Sequence, residues 1–189
     1  MITTELLLKI KEQFQIDWWG LHGVLHFNNV FLNGRLLSQQ SKTTTRICDY
    51  FSIFHDSCRI NEGLDCDHGK RGAELALKLR HHIQLNETDF LILHNACSNH
   101  TSLRSADCMI SALCADADRC DIGRVGSSYP DHKQLLSPMA KQKEIIEQCY
   151  QRSLTHDLPD APFGLTDFWD VFKNDHYTEW ARGGRRNDA

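Results

Sequence analysis

Proline is absent from the first 129 residues of this 189-residue chain; all four prolines lie at or beyond Pro130. That long stretch therefore contains no obligate helix breaker. No run approaches the roughly 18 uninterrupted apolar residues of a membrane-spanning helix, so no membrane association is expected. CxxC spacing is missing too, although there are eight cysteines: Cys48, Cys58, Cys66, Cys97, Cys108, Cys114, Cys120 and Cys149. Cysteine-based zinc fingers are thereby set aside. The opening MITTELLLKIKEQF lacks the basic start, apolar run and cleavage site of a secretory signal. Reduced thiols in a cytoplasmic protein are the expectation. A basic surplus is also lacking, since the net charge is -4. That argues against a nucleic-acid scaffold but not against a nucleotide substrate, which needs only a few local arginines. Strand-length alternation and internal repeats are not seen.

What is present is helical spacing. Ile47, Tyr50, Phe51, Phe54 and Cys58 fall at i, i+3, i+4, i+7 and i+11. Gly72, Leu75, Ala76, Leu79 and Ile83 repeat that pattern, as do Ala106, Met109, Ile110, Leu113 and Ala117. Each set puts one stripe against a core. Leu6, Leu7, Ile10 and Phe14 predict a shorter amphipathic start, and a further helix is expected near 139–152. Asn86 with Asp89 predicts an N-cap and its reciprocal partner, opening a helix through Phe90, Leu93 and Cys97. Asn61-Glu62-Gly63 and Gly123 mark turns. The expected fold is all-α: a bundle of about six or seven helices over residues 1–152. Residues 153–189 are expected to be an irregular arm, ending in a frayed RGGRRNDA tail rather than a separate domain.

Histidine and aspartate cluster at particular places: His22-Gly-Val-Leu-His26, His55-Asp56, Asp65-Cys-Asp67-His68, Asn99-His100 and Asp116-Ala-Asp118-Arg-Cys-Asp121. On a helix His22 and His26 would share a face. His55 and Asp56 point about 100° apart and can meet one ion only at their shared edge, so other helices must complete the shell. Isolated histidines are more often surface or satisfied core residues, and His81, His82, His94, His132, His156 and His176 are read that way. Asp116 and Asp118 read equally well as solvated helix-end acids. The ordered set weighs more than its members, because carboxylates and imidazoles gathered in a bundle core are costly without a cation.

The order His, His-Asp, Asp resembles the HD metal-dependent phosphohydrolase superfamily. Three strings carry the resemblance over roughly residues 20–130: HGVLHFNNV, YFSIFHDSCRINEGLDCDHGKRGAE and CADADRCDIGRVG. They are similar to a bacterial branch of small HD-domain proteins with HGxxHWxRV, FHDSxRxNDGxDPxHGxRxA, an HTxG-like segment and WDADRLDLGRVG. The chain departs from that pattern at Phe27-Asn28-Asn29, which lacks the branch's tryptophan and arginine. Glu62 replaces an aspartate, Ala115 a tryptophan and Cys120 a leucine.

The resemblance implies His26, His55, Asp56 and Asp118 as ligands of one divalent ion (Mn, Mg, Ni, Co, Zn or Fe). Asp118 is preferred to Asp116 through the Ala117-Asp118-Arg119 segment. Asp116 and Asp121 become candidates for orienting imidazoles. His68 and His100 occupy the places of second-metal ligands in binuclear members, or of substrate contacts. The activity implied is hydrolysis of a nucleotide-like or other small phosphate ester, with Asp56, His68, Arg71 and His100 as catalytic residues. Lys70, Arg71 and Arg119 are candidates for neutralising phosphate charge, or else lie on a solvated face. Arg59 and Arg124 are read as braces to Asp65, Asp67 or Asp121. Two other classes stay open: a di-iron oxygenase on the same fold, and a metal-retaining protein that binds a ligand without catalysis.

Overall fold

The computed structural model describes residues 1–38 and 41–172. The expected tail at 182–189 and His176 lie outside them. Among the described residues the chain is all-helical, with eight α-helices and no strand. They are α1 (Thr4–Gln13), α2 (Val24–Leu37), α3 (Lys42–Phe54), α4 (His68–Lys78), α5 (Glu87–Asn99), α6 (Met109–Arg119), α7 (Lys143–Ser153) and α8 (Phe168–Phe172). None is long and apolar enough to cross a membrane.

Local chemistry starts the helices where the sequence offers oxygen caps. Thr3 and Ser41 accept from Leu6 N and Thr44 N, at 3.2 and 3.3 Å. At α5, Asn86 accepts from Asp89 N while its amide donates to the Asp89 carboxylate, both at 2.9 Å. These bonds satisfy helix N–H groups that have no intrahelical partner. The α2–α3 and α4–α5 pairs pack side by side, and α6 closes against α2, α3 and α5. Ile47, Tyr50, Phe51 and Phe54 of α3 are fully buried at the centre.

Two glycines set how α4 meets its neighbours. A Cβ on Gly72 would run into the Phe54 carbonyl oxygen, and one on Gly69 into the Cys97 carbonyl oxygen and the His100 ring. Without side chains at both positions, the first turn of α4 lies directly against the C-terminal ends of α3 and α5. That approach brings His68 to His55-Asp56 and to His100.

Some expectations change. The stripe assigned to 106–117 is only part of the buried face of α6: Leu113 and Ala117 are buried and Ile110 packs on the core, but Met109 is 46% exposed, while Ala112 and Cys114 through Asp116 are buried too. A helix enclosed on most sides loses the polar face that makes a period visible. The segment after Ser153 is also more ordered than an irregular arm. Phe163, Phe168 and Phe172 are buried, and Phe172 stacks on Trp18 with centroids 5.9 Å apart. Asn28 Oδ1 accepts from Phe163 N at 2.9 Å. That bond helps hold Phe163 at φ 57°, a left-handed value uncommon for a bulky residue. The arm is thus seated on α2 and supplies the eighth helix, one more than the upper expectation.

Candidate metal centre

Six ligand-type side chains from five segments meet between α2, α3, α4, α5 and α6. They form two groups, His26–His55–Asp118 and Asp56–His68–His100, each with ligand atoms close enough to hold one metal ion. His26 Nε2 and His55 Nε2 are 3.0 Å apart. His68 Nε2 and His100 Nε2 are also 3.0 Å apart. Asp56 lies between the pairs. Its Oδ2 is 3.6 Å from His26 Nε2 and 3.8 Å from His55 Nε2; its Oδ1 is 3.0 Å from His68 Nε2 and 3.9 Å from His100 Nε2. Asp118 Oδ1 completes the first group, 3.4 Å from His26 Nε2 and 3.8 Å from His55 Nε2. Two ligands at ~2.1 Å from one ion stand about 3.0 Å apart in octahedral and about 3.4 Å in tetrahedral geometry, so these separations suit a shared cation.

The other ring nitrogen of every histidine has an acceptor. His26 Nδ1 donates to Asp121 Oδ2 at 2.7 Å. His55 Nδ1 donates to the carbonyls of Phe51 and Ser52, at 3.2 and 3.1 Å. His68 Nδ1 donates to Asp65 O, and His100 Nδ1 to Cys97 O at 2.8 Å. With the protons assigned to Nδ1 by these acceptors, all four Nε2 atoms present lone pairs inward. Lone pairs facing at 3.0 Å repel; a cation between them removes the conflict. The local helix ends produce this arrangement, since His55 and His100 are the C-caps of α3 and α5 and turn Nδ1 back onto their own last turns.

Electrostatics agree with ionised carboxylates and, at His55 and His100, with lone-pair imidazoles; at His68 burial works against the charged ring, but the Asp56 carboxylate outweighs it and raises that imidazole. Burial alone would raise Asp56 and Asp118. The surrounding imidazoles, His55 and His68 foremost at Asp56 and His26 at Asp118, hold both well below the usual carboxylate range. Burial pushes His55 down to about 3 and also lowers His100. Burial works against a charged His26 as well, but Asp118 and Asp121 outweigh it and raise that imidazole. The Asp118 side chain is 22% exposed against 4% for Asp56, so the first ligand group meets solvent at Asp118. The donor set is nitrogen and oxygen throughout, which fits borderline or hard divalent ions.

Other expected residues fall differently. Asp121 orients His26 and also accepts from Asn29 Nδ2 at 2.9 Å, at the position where the resembling branch carries arginine. Asp116 orients no imidazole. It accepts from the backbone of Leu136 and Ser137, at 2.8 and 2.7 Å, and pins that segment to α6. Arg71 is bound to Asp65 at 2.5 Å and to Cys58 O at 2.9 Å, and exposed Lys70 pairs with Asp67 at 3.0 Å. Those basic groups at the start of α4 are balanced by the acids just before it. Arg119 donates to the carbonyls of Gln134, His100 and Leu103, so it fixes the 100–103 loop. Arg124 meets Asp121 as the expected brace, at 3.5 Å. None of His81, His82, His94, His132 and His156 enters either ligand group.

Two residues acquire places that the sequence did not suggest. Arg59, read as a brace to Asp65, Asp67 or Asp121, instead has Nη1 3.4 Å from Asp56 Oδ1, against the His68 ring. Its Nη2 donates to Gly63 O at 2.7 Å. His22 does not share a helical face with His26, because α2 begins at Val24. A Cβ on Gly23 would collide with the Trp18 carbonyl oxygen, so the turn there is tight. His22 instead bonds Glu62 through Nδ1, edge-on to His26 with centroids 6.1 Å apart. Their motifs hold the signal, but pairing across 40 residues is not visible in spacing.

Comparison with known proteins brings no match: no family model, no curated protein and no solved structure is significantly similar to this chain.

Proposed function

We propose that this protein is a divalent-metal-dependent hydrolase of a small phosphate ester, of the HD phosphohydrolase type. One observation carries the reading: Asp56 offers one carboxylate oxygen to the His26–His55 pair and the other to the His68–His100 pair. The order of these ligands along the chain and the all-helical bundle support the same assignment. A divalent ion held by such ligands polarises a phosphoryl oxygen and lowers the pKa of a water molecule to about 7 in favourable zinc cases.

The chain's own residues supply positioning and charge. Asp121, Asp65 O, Cys97 O and the α3 carbonyls fix the four imidazole tautomers. Arg59 brings a cation to Asp56 and His68, where phosphoryl charge would be received. Arg119 holds the loop that follows His100.

Metal analysis followed by a phosphoester panel with manganese, nickel, cobalt and magnesium tests this reading. Chelation is expected to abolish turnover, and Asp56→Ala to do so while the helical content is retained. Robust turnover after exhaustive chelation, or in the Asp56→Ala protein, contradicts it. The shared carboxylate also favours a second reading, a di-iron oxygenase. Iron bound in preference to the other metals, with an optical band appearing under oxygen and no phosphoester turnover, selects that alternative. A protein that retains metal but has neither activity is the non-catalytic binding protein.

A further inference from the structure

A cavity of about 470 Å3 opens beside the second ligand group, between the 59–68 segment and the 101–104 loop. We propose that it is the substrate pocket and that it takes a phosphate monoester whose organic body carries a second anionic group, read by Arg104. This rests on the phosphohydrolase reading for the identity of the first phosphate, but the pocket stands on its own lining.

The cavity reaches the second ligand group through His68. His68 and Arg59 line it, and both touch Asp56 Oδ1, at 3.0 and 3.4 Å. Thr101 and Ser102 continue the wall directly from His100. A group seated against His68 and Arg59 therefore lies next to the Asp56 carboxylate that both of them touch. By contrast, the apolar cavity lined by Leu37, Met109, Leu113 and Met139 contains no residue of the centre.

Charge along the cavity is unequally committed. Asp65, a carboxylate in the lining, is taken by Arg71. Arg59 is spent on Asp56, Asn61 O and Gly63 O, which also holds the 61–63 turn. Arg104 differs: Nη1 donates to Thr101 O and Leu103 O, at 2.8 and 2.9 Å. Its Nε and Nη2 donate to no group among the described residues. The two carbonyl bonds and the Arg119 bonds to His100 O and Leu103 O fix the loop and leave one edge of the Arg104 guanidinium free in the cavity lining. That free edge is a two-donor fork suited to a carboxylate or phosphate. The volume lies in the range of small-ligand pockets. A free guanidinium edge in the same lining as His68 favours a substrate with a second anion besides its phosphate.

Non-hydrolysable phosphonates separate this from turnover. Calorimetric titration of the manganese-loaded protein would compare benzylphosphonate with its 3- and 4-carboxy derivatives. At least one carboxy derivative is expected to bind about tenfold tighter than the parent. In Arg104→Gln that advantage is expected to fall within about twofold, with parent affinity and manganese content unchanged. Arg104 is exposed and bonds only its own loop, so the variant should fold. Equal affinities in the native protein, an advantage that survives in Arg104→Gln, or no phosphonate binding overturns the proposal. Phenyl phosphate turnover is scored separately. Its absence alongside Arg104-dependent discrimination overturns the hydrolase reading and leaves the pocket assignment standing.

Discussion

Asp121 accepts on both oxygens, from His26 Nδ1 and from Asn29 Nδ2, and is fully buried. It sets the tautomer that points His26 Nε2 at the other ligands, so its loss should be felt as metal affinity. Asp121→Asn is expected to weaken manganese binding by about tenfold or more, in line with other carboxylates that support metal-bound histidines. Competition against a chromophoric chelator measures this; an unchanged affinity would remove Asp121 from the account. At this scale the sequence was informative about the side chains that could hold a metal and poor about their supports. His26, His55, Asp56 and Asp118 stand in recognisable strings. The choice between Asp116 and Asp121 as a support depends on which side of the α6 terminus each faces. Likewise Arg59 and Arg71 both stand near acids, and only the turn at 61–65 decides that Arg71 takes Asp65 and Arg59 takes Asp56.

The elements deliver these residues through their ends. α3 and α5 finish on His55 and His100, and α4 begins on His68. Gly72 lets the start of α4 lie against the last turn of α3. Gly72→Ala places a methyl against the Phe54 carbonyl and is expected to cost about 1–3 kcal/mol, as overpacking does. It should also shift His68 away from Asp56 and weaken the second ion. Denaturant unfolding and metal titration together check this; a variant as stable as the native protein would show that the contact is not tight. The α3 stripe and the Asn86 cap were legible because period and cap chemistry are local. The full buried face of α6 was not, since burial on most sides leaves no polar register. α8 was not legible either, because five residues give no period to read.

For the whole molecule, the arm after Ser153 belongs to the core. Phe168 and Phe172 are fully buried, and Phe172 stacks on Trp18 beside the turn that leads to His22 and α2. Phe168→Ala is expected to destabilise by about 3–5 kcal/mol, as for other buried aromatics. Denaturant unfolding would show this as a lower midpoint; a change under about 0.5 kcal/mol, the scale of surface substitutions, would mean that the arm only rests on the bundle. Aromatic residues in a proline-containing segment read as irregular from sequence because the contacts that seat them, Phe163 on Phe31 and Phe172 on Trp18, join residues more than a hundred positions apart.

The most direct test of the two-group centre is the metal content of each chain. Protein reconstituted with manganese and freed of excess by gel filtration would be analysed by elemental mass spectrometry. The expected ratio is about two ions per chain, one for each group of three ligand side chains. His68→Ala and His100→Ala are each expected to reduce it to about one and to cut turnover by at least about tenfold. A native ratio near zero with manganese, and equally with iron, zinc, nickel or cobalt, would contradict a metal centre at these residues.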